Sequence, residues 1–384
     1  MRIGIFENIM TPGGHEVDFD RILVEELRGA GHEVSFYVPE GFRFELDYGT
    51  PVTYLKGAPV MYGKSHGVRK LIAAFTREVR RQGWYRALYE AAAAGEVDAL
   101  IVPTSTYRYL RALKHSVLRK SPVPIIFILH GINPKEAPKF IRAVESLAGD
   151  SNIRPTVLTF GDTIFGERPE RVRCIYPPTY TPRDLLAEGR TVEAREKSVN
   201  EPLVIGFYGQ YRREKRLEDF LRIYLARDYA RPVKLLVQGS TMHEEDAADF
   251  ERIIAKYRDD ARVEFLHKGL IGRAWQEAIL SVDALLMPYS APRYRYHWGG
   301  MLFTAIGYRK PVIASDDINP EVFERFSIGE TFSSGDADSL GRTLEDFINR
   351  FDERQGTYQR NLAEAGELYA PSKFAERLVS IIEE

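Results

Sequence analysis

LVIGFYGQYRREKRLEDF, residues 203–220, is the stretch on which the reading of the fold turns. An apolar run ends at Gly209, four cations follow as Arg212, Arg213, Lys215 and Arg216, and an amphipathic segment opens at Leu217. Strand, glycine loop and helix in that order begin a βα unit. Downstream, VKLLVQG, VEFLHKG, DALLMPY, PVIAS and GETFS repeat the apolar run, each separated by a helix-like segment. Such alternation predicts a parallel sheet covered on both faces.

Upstream, residues 177–202 read PPTYTPRDLLAEGRTVEAREKSVNEP, polar and punctuated by proline as an interdomain linker is. Before them the same alternation occurs once more. IGIF leads through Gly13-Gly14 into a helix carrying Val17, Ile22, Leu23 and Leu27 at helical spacing, and HEVSFYV, VDALIVP, PIIFILH, TVLTF and RVRCIY follow. The expected fold is α/β, with two Rossmann-like parallel-sheet domains facing across a cleft. The first spans 1–178, a linker 179–201 and the second domain 202–370, while a C-terminal helix over 371–384 is expected to pack back on the first. Ligands of such sheets bind beyond the carboxyl ends of the strands, so the loops after strands are where chemistry is sought.

Bulk properties narrow the class. A chain of 384 residues, 44% apolar, with net charge -2, is an ordinary globular protein and not a dedicated nucleic-acid binder. The single cysteine, Cys174, allows no intrachain disulfide and fits a reducing compartment. MRIGIFENIM, with Glu7 inside its apolar run, suits a first strand and not a signal peptide. No segment approaches the ~18 apolar residues of a spanning helix, and the expected location is the cytoplasm.

Two stretches point to a diphosphate. Gly299-Gly300 opens a short apolar helix, where unpaired amides and the helix dipole favour an anion and glycine lets it approach. The cations after Gly209 suit the same anion through charge-assisted hydrogen bonds.

These residues resemble the donor domain of retaining glycosyltransferases of the GT-B fold, specifically glycosyltransferase family 4. The family pattern G-R-x-x-x-x-K-G falls on Gly209 to Arg216, and E-x-F-G-x-x-x-x-E-A-x-x-x-G-x-P-V-[VI]-A-S falls on Tyr296 to Ser315 without gaps. Gly13-Gly14 and His130-Gly131 match features of the family's first domain, so the resemblance spans nearly the whole chain. Three departures stand out: Gln210 replaces the pattern's arginine, and Tyr296 and Thr304 replace its two glutamates.

The resemblance implies transfer of a sugar from a nucleotide diphosphate donor to a carbohydrate or lipid-linked acceptor, with retention, in surface-polysaccharide or glycoconjugate assembly. It implies a donor site of Gly209, Gln210, Arg212, Arg213, Lys215, His267, Tyr296, His297, Gly299, Gly300, Met301, Leu302 and Thr304. His130 and Lys215 take the catalytic roles, and Gly13, Gly14 and His15 the acceptor. An inverting variant would draw its base from Glu16, Asp18 or Asp162. No cofactor and no metal are expected, the histidines being scattered and Asp18-Phe19-Asp20 lying early in a helix. Against catalysis stands a degenerate GT-B protein that binds nucleotide sugar, or partners another transferase, without turnover. GAPVMYGKS (57–65) imitates a P-loop but has five residues between its glycines where the motif has four. An NAD-dependent dehydrogenase lacks its G-x-G-x-x-G after the first strand.

The first half is locally cationic: residues 64–86 hold seven Lys and Arg against Glu78, and residues 107–120 add Arg108, Arg111, Lys114, Arg119 and Lys120 without an acid. With Leu71, Ile72, Phe75, Trp84 and Tyr85 interleaved, these helices suit peripheral docking on an anionic inner membrane face.

Overall fold

A computed structural model describes the chain apart from residues 11–15, 61–66, 159–162, 194–197, 199 and 290, and the side chains of 67–73. Gly13, Gly14, His15, Asp162 and most of the P-loop imitation therefore lie outside the described residues, as do the side chains of Leu71 and Ile72.

The chain forms two compact units, the first comprising Met1–Pro177, Tyr296–Trp298 and Pro371–Glu384. Its strands are β1 (Arg2–Phe6), β2 (Glu33–Pro39), β3 (Val52–Leu55), β4 (Ala99–Val102), β5 (Ile125–Leu129), β6 (Ile153–Leu158) and β7 (Arg173–Ile175). They form one sheet in the order β3-β2-β1-β4-β5-β6-β7, every neighbouring pair parallel. Helices α1 (Glu16–Gly29), α2 (Gly67–Ala93), α3 (Tyr107–Leu113) and α4 (Ala137–Glu145) connect them. The central strands ALIV and IIFIL are buried along their whole length, as strands covered on both faces must be. At the edge, β3 exposes Tyr54.

The second unit comprises Pro178–Arg295 and Gly299–Ala370. It holds α5 (Arg183–Ala187), β8 (Leu203–Phe207), α6 (Leu217–Leu225), β9 (Val233–Gly239), α7 (Glu244–Tyr257), β10 (Val263–His267), α8 (Gly272–Leu280) and β11 (Ala284–Met287). After these come α9 (Gly300–Gly307), β12 (Val312–Ser315), α10 (Pro320–Arg325), β13 (Gly329–Phe332), α11 (Ala337–Asn349) and α12 (Phe351–Leu368). Its sheet runs β10-β9-β8-β11-β12-β13, again all parallel.

The segment read as a linker, 179–201, is in part packed into the second unit. Tyr180 and Leu185 are buried in the second, where the amides of Asp184 and Leu185 donate to Gln276 Oε1 at 3.1 and 3.3 Å. The last helix, α13 (Pro371–Glu383), belongs to the first unit. Its Phe374 ring lies 5.6 Å from that of Phe19, and Glu384 pairs with Arg173 at 2.6 Å.

Candidate functional site

In the second unit the chain leaves β8 toward β9 on one side and reaches β11 on the other, so β8 and β11 flank the point where strand order reverses. A crevice opens at the carboxyl ends of such a pair. Gly209 turns the chain there with φ 101°, donates its amide to Gln238 Oε1 at 3.0 Å and accepts from Ser240 N at 3.3 Å. A side-chain carbon on Gly209 would stand 3.9 Å from Met301 Sδ, so the loop after β8 lies against the first turn of α9. The two stretches singled out in the sequence thus meet within one unit.

Lys215 ends a 3-10 turn formed by Arg213–Lys215 and is buried in this crevice. Its Nζ lies 5.3 Å from the ring centre of Phe207, the last residue of β8, and 4.9 Å from that of Tyr289, which follows β11. Among the described residues it makes no ion pair and no hydrogen bond. The neighbouring carboxylate, Glu214, is taken by Arg293, with Tyr294 Oη at 3.4 Å and Arg212 at 3.6 Å. Burial, then the Arg212 charge, push the Lys215 ammonium down to about 7. A cation desolvated among aromatic faces and lacking a counterion is prepared for an anion.

The remaining expected donor residues are placed unequally. Arg212 is half exposed and donates to Gln210 Oε1 at 2.7 Å. Arg213 turns to Glu245 at 2.5 Å and Asp246 at 3.4 Å. Gly299 donates its amide to Asn319 Oδ1 at 3.0 Å, which leaves the amides of Gly300, Met301 and Leu302 as the first without an intrahelical acceptor. Leu302 and Thr304 are buried, and the Thr304 hydroxyl donates back to Gly300 O at 2.9 Å. His267 has both ring nitrogens engaged, one with Thr241 Oγ1 at 3.0 Å and the other with Glu251.

Tyr296 and His297 belong to the first unit, in backbone pairing with the loop after β5. Ile132 N donates to Tyr296 O at 3.1 Å, Trp298 N donates to His130 O at 2.7 Å, and Gly131 bridges His297. Gly131 is required there: a side-chain carbon would fall 2.3 Å from Tyr296 O, at φ 139°. His130 Nε2 lies 2.8 Å from Pro103 O, an acceptor, so Nε2 carries the proton. Phe19 and Trp298 hold its ring edge-on at 4.7 and 5.4 Å.

The sequence reading passed over two acids in this unit. Glu7 follows β1, at the sheet's own reversal point between β1 and β4, and is 1% exposed. Its Oε1 accepts from Asn8 N at 2.6 Å and Ile9 N at 2.7 Å, yet burial still pushes the carboxyl up to about 8. Asp20, on the buried face of α1, is raised by burial and then by the Glu7 charge. The visible signal was a carboxylate inside the apolar run IGIFEN.

No family model and no curated protein matches the chain. Solved structures do match. The Anabaena protein Alr3699/HepE, in complex with UDP and glucose, superposes with TM-score 0.68 at 16% identity, covering 100% of this chain and 99% of its own. The lipopolysaccharide outer core galactosyltransferase WaaB gives 0.64 at 15%, covering 100% and 99%. Starch synthase IV from Arabidopsis thaliana, bound to ADP and acarbose, gives 0.64 at 12%, covering 100% and 98%. The chain has the GT-B glycosyltransferase fold.

On that fold the backbone can be compared with the patterns. Among the described residues three non-glycines have positive φ: Arg216 at 51°, Arg309 at 52° and Asn319 at 37°. The first two stand where the two patterns carry glycine. The backbone at both positions is thus left-handed, the geometry that favours the glycine of the patterns. Left-handed geometry costs an L-residue about 1–2 kcal/mol, and glycine gives back about 0.5–1 kcal/mol through its freer unfolded chain. Among the described residues the Arg309 side chain has only a 4.0 Å ion pair with Glu193 to lose. Arg309→Gly should accordingly raise stability by about 0.5–1 kcal/mol, read from urea midpoints. A lower midpoint would contradict the backbone argument.

Glu7 provides a second test. Between its ordinary 4.5 and about 8 the folded protein holds a proton that the unfolded chain has released. Stability from this group falls as pH rises through that window, and Asp20 acts in the same direction. Glu7→Gln retains an acceptor for the two amides but has no proton to lose. Its stability relative to wild type should rise from about pH 5 to about pH 8; a constant difference would show that Glu7 is not the titrating group.

Proposed function

We propose that the protein is a glycosyltransferase that moves a sugar from a nucleotide diphosphate donor to a saccharide acceptor, in surface-polysaccharide or glycoconjugate assembly. The observation that carries this reading is Lys215, a buried ammonium without a counterion among the described residues, at the strand-reversal point and beside the loop that touches the start of α9. A donor diphosphate would accept from Lys215, from the amides of Gly300 and Met301, and from Arg212 once it leaves Gln210. As the bond from the anomeric carbon to the phosphate oxygen breaks, its electron pair passes to the diphosphate. These donors stabilise that growing charge, which is catalysis by preorganised electrostatics. In the retaining reading the departing phosphate oxygen takes the proton of the acceptor hydroxyl as the new carbon–oxygen bond forms. His130, with its tautomer fixed by Pro103 O, would orient the sugar. No protein nucleophile, cofactor or metal has a role in this scheme.

A panel of UDP, GDP, ADP, CMP and dTDP in a melting assay without added metal tests the donor class, with UDP first because HepE was solved with it. A nucleotide at 100 times its Kd stabilises by about 2.7 kcal/mol. One nucleotide should shift the wild type, and Lys215→Ala should lose most of that shift while keeping its own Tm. An undiminished shift in the variant removes Lys215 from the site.

Thr304 favours a second reading. The pattern places there the acid that would hold the donor ribose, and this chain has a buried hydroxyl bonded within its own helix. A protein that binds the nucleotide sugar without turning it over fits that substitution. Release of nucleotide from a nucleotide sugar by the isolated chain would dismiss it.

For the membrane, Trp84 and Tyr85 are buried in the first unit and cannot serve as anchors. Phe75 and Val79, one turn apart on α2, are 73% and 55% exposed near Arg77 and Arg80. They suit peripheral attachment to an anionic surface, and no helix among the described residues is long and apolar enough to cross a membrane. The chain should sediment with vesicles containing phosphatidylglycerol and not with neutral ones, and Phe75→Asp should weaken the binding. Equal sedimentation with both vesicles argues against this role.

A further inference from the structure

A second cationic feature lies in the first unit, and it includes Arg108 and Arg111, counted above among the cations expected to face a membrane. Helices α3 and α4 follow β4 and β5, so both begin at the carboxyl ends of parallel strands, where ligands of such sheets bind. Between them stands Tyr107, buried to 7% exposure. Three cations surround its ring: Arg108 Cζ at 5.6 Å from the centroid, Arg111 Cζ at 5.8 Å and Lys139 Nζ at 5.9 Å.

The charges are poorly balanced. The nearest described ion pair is Arg108 with Glu136, at 4.0 Å. Arg111 and Lys139 have no ion pair and no side-chain hydrogen bond among the described residues. Cations gathered around one ring repel one another, and a single tyrosine face attracts each of them only weakly when exposed. An anion with several acceptor oxygens removes the repulsion and satisfies both guanidinium forks and the ammonium together. Helix propensity does not require this arrangement, since three neutral residues would build the same surface.

We propose that the Tyr107 cluster binds a phosphoryl group of the acceptor, so that the acceptor is a saccharide carried on a phosphate or diphosphate ester. The inference rests on the glycosyltransferase reading for the word acceptor, while the anion site itself stands on the cluster. It differs from the peripheral surface at Phe75 and Val79, which lies on α2 and draws on apolar as well as charged residues.

Inorganic pyrophosphate is the probe, titrated calorimetrically into the full chain with UDP present at saturation, and again into Lys215→Ala, where the donor site is disabled. Both titrations should show one saturable site. The double variant Arg111→Ala, Lys139→Ala should bind pyrophosphate at least tenfold more weakly, with UDP affinity and vesicle sedimentation unchanged. Both side chains are exposed, so the fold should not suffer, and an unchanged Tm checks this. Equal pyrophosphate affinity in the double variant overturns the site. Loss of vesicle sedimentation with pyrophosphate affinity intact also overturns it, because the cations would then serve a lipid headgroup surface. A failed donor reading appears separately, as absent UDP binding, and leaves the pyrophosphate result standing.

Discussion

A lysine ammonium enclosed by two aromatic rings, with its neighbouring carboxylate drawn away by an arginine, is an expensive thing for a fold to keep. Burying a charge is tolerated when it is paired, and here the pairing is only with ring faces. Glu214 is near enough in sequence to neutralise Lys215, yet Arg293 and Tyr294 hold it elsewhere. The surrounding architecture accounts for this arrangement. Phe207 and Tyr289 sit at the ends of the two strands between which strand order reverses, Gly209 turns the chain over them, and α9 begins against that turn. Each element brings a donor, and the described residues supply no acceptor for Lys215. That is the arrangement the proposed donor diphosphate would complete.

The departures from the family patterns look different once the backbone is known. Gln210, Tyr296 and Thr304 change side chains that would meet a donor, whereas Arg216 and Arg309 change glycines that shape the main chain. At the latter two positions the left-handed conformation persists, at a cost. What persists is the path of the loop before α6 and of the turn before β12, which together position Lys215 and α9. In the proposed reading, the alterations spare the frame that would meet the diphosphate and fall on positions assigned to the sugar and ribose. That pattern separates binding of a diphosphate from selection of what is attached to it.

Much of this was legible in the sequence because parallel strands buried on both faces are written as short apolar runs. All six strands of the second unit were marked by such runs, and the central strands of the first were equally plain. The VTYL segment of β3 was not, since an edge strand with Thr53 and Tyr54 turned outward has no such signature. The membership of Tyr296–Trp298 in the first unit was also unreadable. It depends on main-chain hydrogen bonds to His130 and Ile132, and those carry no residue preference beyond Gly131. Lys215 could be named from its pattern, but its isolation could not, because that depends on where Arg293 sends Glu214. Glu7 and Asp20 were missed for a related reason: a carboxylate in an apolar run reads as a strand end, one early in a helix reads as a partner of the helix dipole, and only burial shows that either holds its proton.

The two units invert each other's electrostatics. At its reversal point the second buries a cation that tends to lose its proton; at the corresponding point the first buries acids that tend to keep theirs. Both are ionisable groups driven toward neutrality by the same desolvation, and both lie where a parallel sheet of this order admits ligand. A buried neutral acid can donate a hydrogen bond as well as accept one, which suits hydroxylated ligands, whereas a buried amine gains most from a phosphate that restores its charge. A diphosphate would meet repulsion from Glu7 and Asp20 only if they ionised. The cations around Tyr107, on helices α3 and α4, are the part of the first unit that the proposed phosphoryl group would meet.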